Sequence, residues 1–326
     1  MNWTKRSAAA AVTAAAVSLI TACGASSGDA QSGAAEPVAE NKPIVDKANW
    51  PKATPERGLA KGLSLPLEDY MQSYEDTVTL DTATRRLQEK CMADYGFDIQ
   101  LPVAGGTPPP NDNDANMERR YGLTDRDAAA QYGYGLSDAL THQIRQRMPD
   151  LTEEQVGVLT GHGKPNKTGG GDVPVAKPAP DTYKGKAIHR GGCVGWSDDR
   201  IGQSTIDFQL VSELNGQSLT QSMETPAVKQ ATSAWSQCMK TKGYDVATPY
   251  EAANIVPHAE GGASKEEITV AVAEIDCKEE TGLVAIWFKE DSAIQNKQLA
   301  EHRNELTGAR DRHGKALAAA NKSLQG

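Results

Sequence analysis

Cys91-Met92-Ala93-Asp94-Tyr95-Gly96-Phe97-Asp98 and Cys238-Met239-Lys240-Thr241-Lys242-Gly243-Tyr244-Asp245 are two copies of one motif, offset by 147 residues. The match continues without a gap, with Ile99 facing Val246 and Pro102 facing Pro249. Five identities and two conservative pairs in twelve positions make chance a poor explanation. Each copy closes an apolar-periodic segment of helical character. The glycine supplies the left-handed residue that stops a helix just after its C-cap, because it has no Cβ to clash there. The aromatic residue that follows can fold back on the methionine five positions earlier, the hydrophobic contact of a Schellman stop. The cysteine falls in the last turn, so each copy reads as a helix end that a disulfide can pin.

Working outward, helix starts are well marked. Thr152 with Gln155 predicts a capping box ahead of Val156, Val158 and Leu159. Thr225-Pro226 places proline at the first helical position of a segment running to Trp235 and Cys238. Thr248-Pro249 with Glu251 combines both signals, and Ser264 with Glu267 opens the last and longest segment. No proline occurs from Ser264 to Leu324. A continuous helix there would be about 90 Å long, although Gly282, Gly308 and Gly314 argue against continuity. Its first half carries Ile268, Val272, Ile275, Leu283, Ile286, Trp287 and Ile294 and can pack on the body. Its second half offers only Leu299, Leu306 and Leu317, which suits a solvated tail or a projecting arm that pairs with another chain. Two stretches rich in Gly, Pro and Asn/Asp, 102–116 and 161–183, read as long flexible loops. Strand signals are sparse. The expected fold is mainly α: a helical body with two disulfide-stapled helix ends, a long C-terminal helix and a disordered N-terminus. The repeat divides the body into a first unit over 56–205 and a second over 206–326.

The amino end is an address. Lys5 and Arg6 form a short positive region, and Ala8 to Ile20 form an apolar run of 13 residues, too short to span a bilayer. Ile20-Thr21-Ala22-Cys23-Gly24 follows. Small residues ahead of a cysteine resemble the lipobox of bacterial lipoprotein signals, which implies removal of residues 1–22 and acylation of Cys23. Two acyl chains give stable anchoring, since each buried CH₂ contributes ~0.8 kcal/mol. The mature chain would keep 304 residues and a net charge of −11, so lipid rather than charge must hold it at the bilayer. Residues 23–55, rich in Gly, Ala, Ser, Glu and Pro, read as a flexible tether with a reach of ~30 Å. Beyond Cys23 four cysteines remain: Cys91, Cys193, Cys238 and Cys277. An even number outside the cytoplasm suggests two disulfides, with three possible pairings. If each repeat carries its own bridge, the pairs are Cys91–Cys193 and Cys238–Cys277. The competing metal reading has little support: no Cys-x-x-Cys is present, and His189 is the one histidine close to any of the four.

Composition narrows the function classes. Lys and Arg number 34 against 43 Asp and Glu, a net charge of −9. A nucleic-acid partner, which calls for a concentrated basic surface, is therefore not expected. No run of 18 apolar residues exists, so a polytopic membrane protein is excluded. Among catalytic signatures, no Ser-x-x-Lys, His-Glu-x-x-His, Walker loop or dinucleotide fingerprint occurs. The reading is therefore of a protein that is not an enzyme, with no cofactor and no metal. His302 and His313 are eleven apart and could share a helix face, with a solvated pair the plain expectation. Asp198 and Asp199 could do acid–base work in a cleft, but after Ser197 they more simply fit the first turn of a helix. Glu118-Arg119-Arg120-Tyr121-Gly122-Leu123 is a compact charged and aromatic cluster. Internal ion pairing is its default, and Arg119, Arg120 and Tyr121 are the candidates for binding an acidic partner. Trp235 and Trp287 fall on apolar faces and read as core.

The lipobox at Cys23, the two Cys-Met-x-x-x-Gly-aromatic copies and the stretch Asp276-Cys277-Lys278-Glu279-Glu280-Thr281-Gly282-Leu283-Val284 together resemble a group of secreted and lipidated actinobacterial proteins known as hypothetical lipoproteins. The resemblance spans most of residues 60–310. It implies a location, the outer face of the plasma membrane, and carries no activity. The function expected is a non-catalytic interaction or accessory module of the cell envelope. Its partners would be the bilayer, through the acyl anchor, and an envelope protein or cell-wall polymer. The alternatives are an envelope hydrolase acting through acidic residues and the solute receptor of an importer, although the alternating βα pattern of such receptors is missing.

Overall fold

Ser73 begins the first long helix by accepting a hydrogen bond from Asp76 N at 3.1 Å, and Glu75 and Asp76 place negative charge in the first turn, where the dipole favours it. This helix, α1 (Tyr74–Asp94), ends as the repeat predicts. Gly96 has φ +82°, its N–H donates to Ala93 O at 2.9 Å, and Phe97 N–H donates to Met92 O at 3.0 Å. These are the two bonds of a Schellman stop. The second copy repeats them: Gly243 has φ +93°, with Gly243 N to Lys240 O and Tyr244 N to Met239 O both at 3.0 Å. Met92 and Met239 are fully buried, and Phe97 and Tyr244 pack against the same cores as their methionines.

A computed structural model of the chain describes residues 45–141, 146–164, 178–257 and 262–326. The stretch read as a signal, Cys23, most of the stretch read as a tether, and much of the 161–183 loop lie outside the described residues. The chain is mainly helical. After α1 come α2 (Arg126–Tyr132), α3 (Asp138–Thr141) and α4 (Glu153–Thr160). A small antiparallel hairpin follows, β1 (Thr182–Tyr183) and β2 (Lys186–Ala187), with Thr182 opposite Ala187. Then come α5 (Gly192–Ile201), α6 (Gln209–Met223), α7 (Pro226–Thr241), α8 (Pro249–Ala252), α9 (Lys265–Thr281), α10 (Leu283–Glu301) and α11 (Arg303–Gln325). Thr152 and Gln155 form the reciprocal capping box on α4. Thr225 caps α7 ahead of Pro226, and Ser264 caps α9 by accepting from Glu267 N. Pro249 opens α8 without a side-chain cap from Thr248.

The segment from Ser264 to Leu324 is three helices rather than one. Gly282, at φ +63°, stops α9, and His302 separates α10 from α11. Gly308 and Gly314 lie within α11. The breaks let the segment pack back on the body: α9 and α10 meet α7, α10 meets α6, and α11 meets α1 and α5. The projecting-arm expectation is thereby corrected. Alanines and Leu306 make α11's buried side, and close approach through small residues compensates for its few large apolar ones.

The largest core joins Trp235, Met239, Val270, Leu283 and Trp287 with Leu65, Met117 and Tyr121. Both tryptophans are buried, and each indole N–H is satisfied, Trp235 by Glu274 O at 3.1 Å and Trp287 by Ser222 Oγ at 2.8 Å. The disulfide Cys238–Cys277, with Cα atoms 5.7 Å apart, belongs to this core. Cys91–Cys193, at 5.6 Å, belongs to a smaller one with Met92, Tyr95, Val158 and Leu159. The stretches 56–205 and 206–326 exchange helices: α2 packs on α9, and α11 packs on α1. Residues 43–326 form one compact unit.

The stretch read as a tether is already docked at its described end. Asp46 caps a short turn at Lys47–Asn49, Trp50 donates its indole N–H to Gly105 O at 3.2 Å, and Pro55 is buried. The cause is Trp50, whose ring finds Tyr74 and Val78 against α1. The loop 102–116 is likewise tied down, with Asp112 Oδ1 accepting from Tyr74 N at 2.9 Å.

Candidate functional site

The residues of the charged cluster lie on a tightly wound connection before α2. Asn116 is left-handed, at φ +44°. Arg119 N–H donates to Asn116 O at 2.9 Å, Gly122 N–H to Arg119 O at 3.0 Å, and Thr124 Oγ1 to Glu118 O at 2.8 Å. Gly122 is required by space as well as by its φ of +80°: a Cβ there would meet Lys278 Nζ at 2.5 Å and Glu274 Oε1 at 3.0 Å.

Arg120 and Tyr121 point inward. Arg120 holds Asp291 with two bonds, Nε to Oδ2 at 2.6 Å and Nη2 to Oδ1 at 3.2 Å, and Nη2 also reaches Asn215 O at 3.0 Å and Ser218 Oγ at 3.1 Å. Tyr121 donates its hydroxyl to Asp291 Oδ2 at 3.0 Å, and Tyr250 donates to Arg120 O. Burial, reinforced by the Asp291 charge, pushes the Tyr121 phenol far up. The reading of Arg120 and Tyr121 as partner-binding residues is corrected: both are buried in a bidentate network that fixes the loop to α6 and α10. Removing one partner of such a pair leaves an uncompensated charge, at a cost of about 3–5 kcal/mol. Arg119 is engaged too, donating to Tyr134 O at 2.7 Å and Gly135 O at 2.5 Å. A second buried pair lies close by. Lys278 donates to Glu274 and, at 2.8 Å, to Leu123 O, and burial lowers its pKa against the pull of Glu274.

The sequence reading missed Asp291 and the burial of Lys278 with Glu274. A signal did exist for the first. Leu283, Trp287, Asp291 and Gln295 recur every four residues along α10 and all are buried, so polar side chains continue an apolar face.

Asn116, Glu118 and Arg119 also line a cleft of about 540 Å³. That volume lies within the usual range of small-ligand sites. Four stretches wall it: residues 48–57, the prolines 108–110, the loop 116–119, and α2 with residues 133–140. Three of these walls are pinned. Trp50 stands edge-on to Tyr74, with ring centres 5.3 Å apart. Leu59 N–H donates to Thr124 O at 2.9 Å, a contact that Gly58 permits, since a Cβ there would lie 2.3 Å from the same oxygen. Asp125 caps α2 by accepting from Asp127 N at 3.0 Å and Ala128 N at 3.2 Å. Lys52 pairs with Glu56. By contrast, the side chains of Arg57, Asn116, Glu118 and Gln131 make no hydrogen bond or ion pair among the described residues. Burial pushes the Glu118 carboxyl up, Arg119 draws it back, Asp125 adds to the push and Arg57 opposes it.

The remaining candidates resolve into structure. Asp198 and Asp199 lie in the second half of α5, not its first turn, because the helix starts at the Gly191-Gly192 pair with no side-chain cap. Asp198 accepts from Ser204 N at 2.6 Å and from the Ser204 hydroxyl. His313 is buried on α11. Among the described residues no group of three or more His, Cys, Asp or Glu could hold a metal ion. Compared with known proteins, the chain matches no family model, no curated sequence and no solved structure.

Proposed function

We propose that this chain is a membrane-anchored extracytoplasmic lipoprotein of the actinobacterial type it resembles, and that its disulfide-stapled body is a non-catalytic binding module of the cell envelope. The acyl anchor on Cys23 would hold it to the outer face of the plasma membrane, with a cell-wall polymer or envelope protein as partner and no nucleic acid. The observation that carries the binding reading is the cleft: it places polar side chains without hydrogen-bond partners, Arg57, Asn116, Glu118 and Gln131 among them, beside charged groups that are tied down, Lys52 to Glu56 and Arg119 and Asp125 to backbone. Polar groups open to a partner in a concave, partly apolar site are what ligand recognition uses. An envelope hydrolase acting through acidic residues is the second reading, favoured by the raised Glu118 carboxyl. The capping duty of the neighbouring Asp125 weighs toward binding.

The anchor is tested by Cys23→Ser in a bacterium that processes lipoproteins. The wild-type chain should take up labelled palmitate and fractionate with membranes, and the variant should do neither. A variant that stays with the membrane and keeps its mobility removes the anchoring.

A further inference from the structure

We propose that the cleft binds a segment of a polyhydroxylated glycan chain; this rests on the binding-module reading and gives that site a ligand class. Arg57, Asn116, Glu118 and Gln131 line the cleft, and each ends in a planar head with two adjacent polar atoms. Between them they offer donors only (the guanidinium), acceptors only (the carboxylate) and both (the two carboxamides). Neighbouring hydroxyls on a sugar ring each donate and accept at a spacing such heads can span. A ligand that covered these groups without pairing them would be penalised, because a desolvated polar group left unpaired costs more than its bond would have gained.

The apolar lining fits the same ligand. Trp50 and Tyr132 contribute aromatic surface to the cleft, and the C–H faces of a sugar ring pack on such surface while its edge hydroxyls turn to the polar heads. Charge selects further. Of the charged heads in the lining without a hydrogen bond, Arg57 is positive and Glu118 and Asp127 are negative, and the chain as a whole carries −9, which disfavours a polyanion. An extended peptide is the chief rival. It is ordinarily held by backbone bonds along a strand edge, and the walls here are loops and a helix, with the hairpin β1–β2 no part of the lining. Asn116 links the site to its frame. Its φ of +44° is one that asparagine tolerates better than most residues and that glycine adopts freely, so the carboxamide can be removed without forcing the backbone to move.

The test uses the exported, disulfide-intact chain carrying Cys23→Ser. Calorimetry and tryptophan fluorescence follow titrations with cellotetraose, chitotetraose and an uncharged tetrapeptide. Saturable binding of at least one tetrasaccharide is expected, weakened about ten-fold or more by Asn116→Gly and by Glu118→Ala, with melting temperatures unchanged. Failure of both tetrasaccharides to saturate overturns the inference. So does binding that neither variant weakens. Saturation by the tetrapeptide alone, lost in the same variants, overturns the sugar assignment and leaves the module reading standing. Membrane fractionation of the wild-type chain reads the anchor separately from all of these outcomes.

Discussion

Helices α1 and α7 stop on the same pair of backbone hydrogen bonds, yet their cysteines hold very different surroundings. Cys238–Cys277 joins α7 to α9 across 39 residues, inside a core already filled by Trp235, Trp287 and Met239. Cys91–Cys193 spans 102 residues and joins α1 to α5 at a small core. Around that core the contacts are mostly at the surface. Phe97 meets Tyr183 at 4.8 Å, the Tyr95 hydroxyl donates to Ala187 O at 2.6 Å, Lys186 lies 4.4 Å over the Tyr95 ring, and Arg200 lies 3.5 Å over Trp196. The motif therefore specifies how a helix ends. What the bridge contributes is decided by how much core would hold its two helices together without it.

Removing the bridges should produce the largest effect and the clearest test of that difference. Limiting the unfolded chain gives about 5 kcal/mol for the 102-residue span and about 4 kcal/mol for the 39-residue span, both upper estimates. Packing should widen the gap, because the second bridge lies among buried tryptophans and the first beside a hairpin. Cys91→Ala/Cys193→Ala is expected to lose more stability in urea than Cys238→Ala/Cys277→Ala. Hydrogen exchange should show the loss beginning in α5 and the hairpin. A larger loss from the second pair would break the comparison.

The helix ends were legible because each lies within eight consecutive residues: a cysteine, a methionine, a glycine and an aromatic fix the stop without help from the rest of the chain. Caps at Thr152, Thr225 and Ser264 were legible for the same reason. Arg120 was not, since its partner Asp291 is 171 residues away and nothing in its own stretch marks it as buried. A run of Glu, Arg, Arg and Tyr has the composition of a solvated surface, and only the polar continuation of α10's apolar face pointed otherwise. The misplaced Asp198 and Asp199 trace to a helix start made by two glycines instead of a side-chain cap. The cleft could not be read at all, because its four walls come from separate stretches that meet only in the folded chain.

The part the two copies share can be tested by Gly96→Ala and Gly243→Ala. Both glycines are left-handed, and a Cβ added at either would meet nothing within 4 Å. The expected cost is therefore the backbone penalty alone, about 1–2 kcal/mol at each site. Equal losses of urea midpoint, with unfolding slopes unchanged, would sharpen the comparison by confining the difference to the bridges. A markedly unequal pair would mean that the surroundings act on the stops as well.

The smallest effect separates the copies by pH. His313, on α11, is 7 % exposed, with Nε2 3.9 Å from Asp76 Oδ2 in the first turn of α1 and its ring edge-on to Phe208. Burial holds its imidazole below the ordinary value of 6.5, and Asp76 draws it back only in part. The unfolded chain therefore takes up the proton first as pH falls through 6.5, and stability that is complete above that value declines from there down to the lower folded pKa. Asp112, which holds the first N–H of α1, has its carboxyl raised by burial, so it gives the opposite slope at more acidic pH, where it takes a proton before its unfolded counterpart does. The first copy's helix should thus loosen from α11 on mild acidification, while α7, held in the tryptophan core, keeps its exchange protection. His313→Gln should flatten the melting-temperature difference between about pH 7.5 and about pH 5.5. If the slope survives that change, or if α7 opens together with α1, the two helices do not differ in the way their cores require.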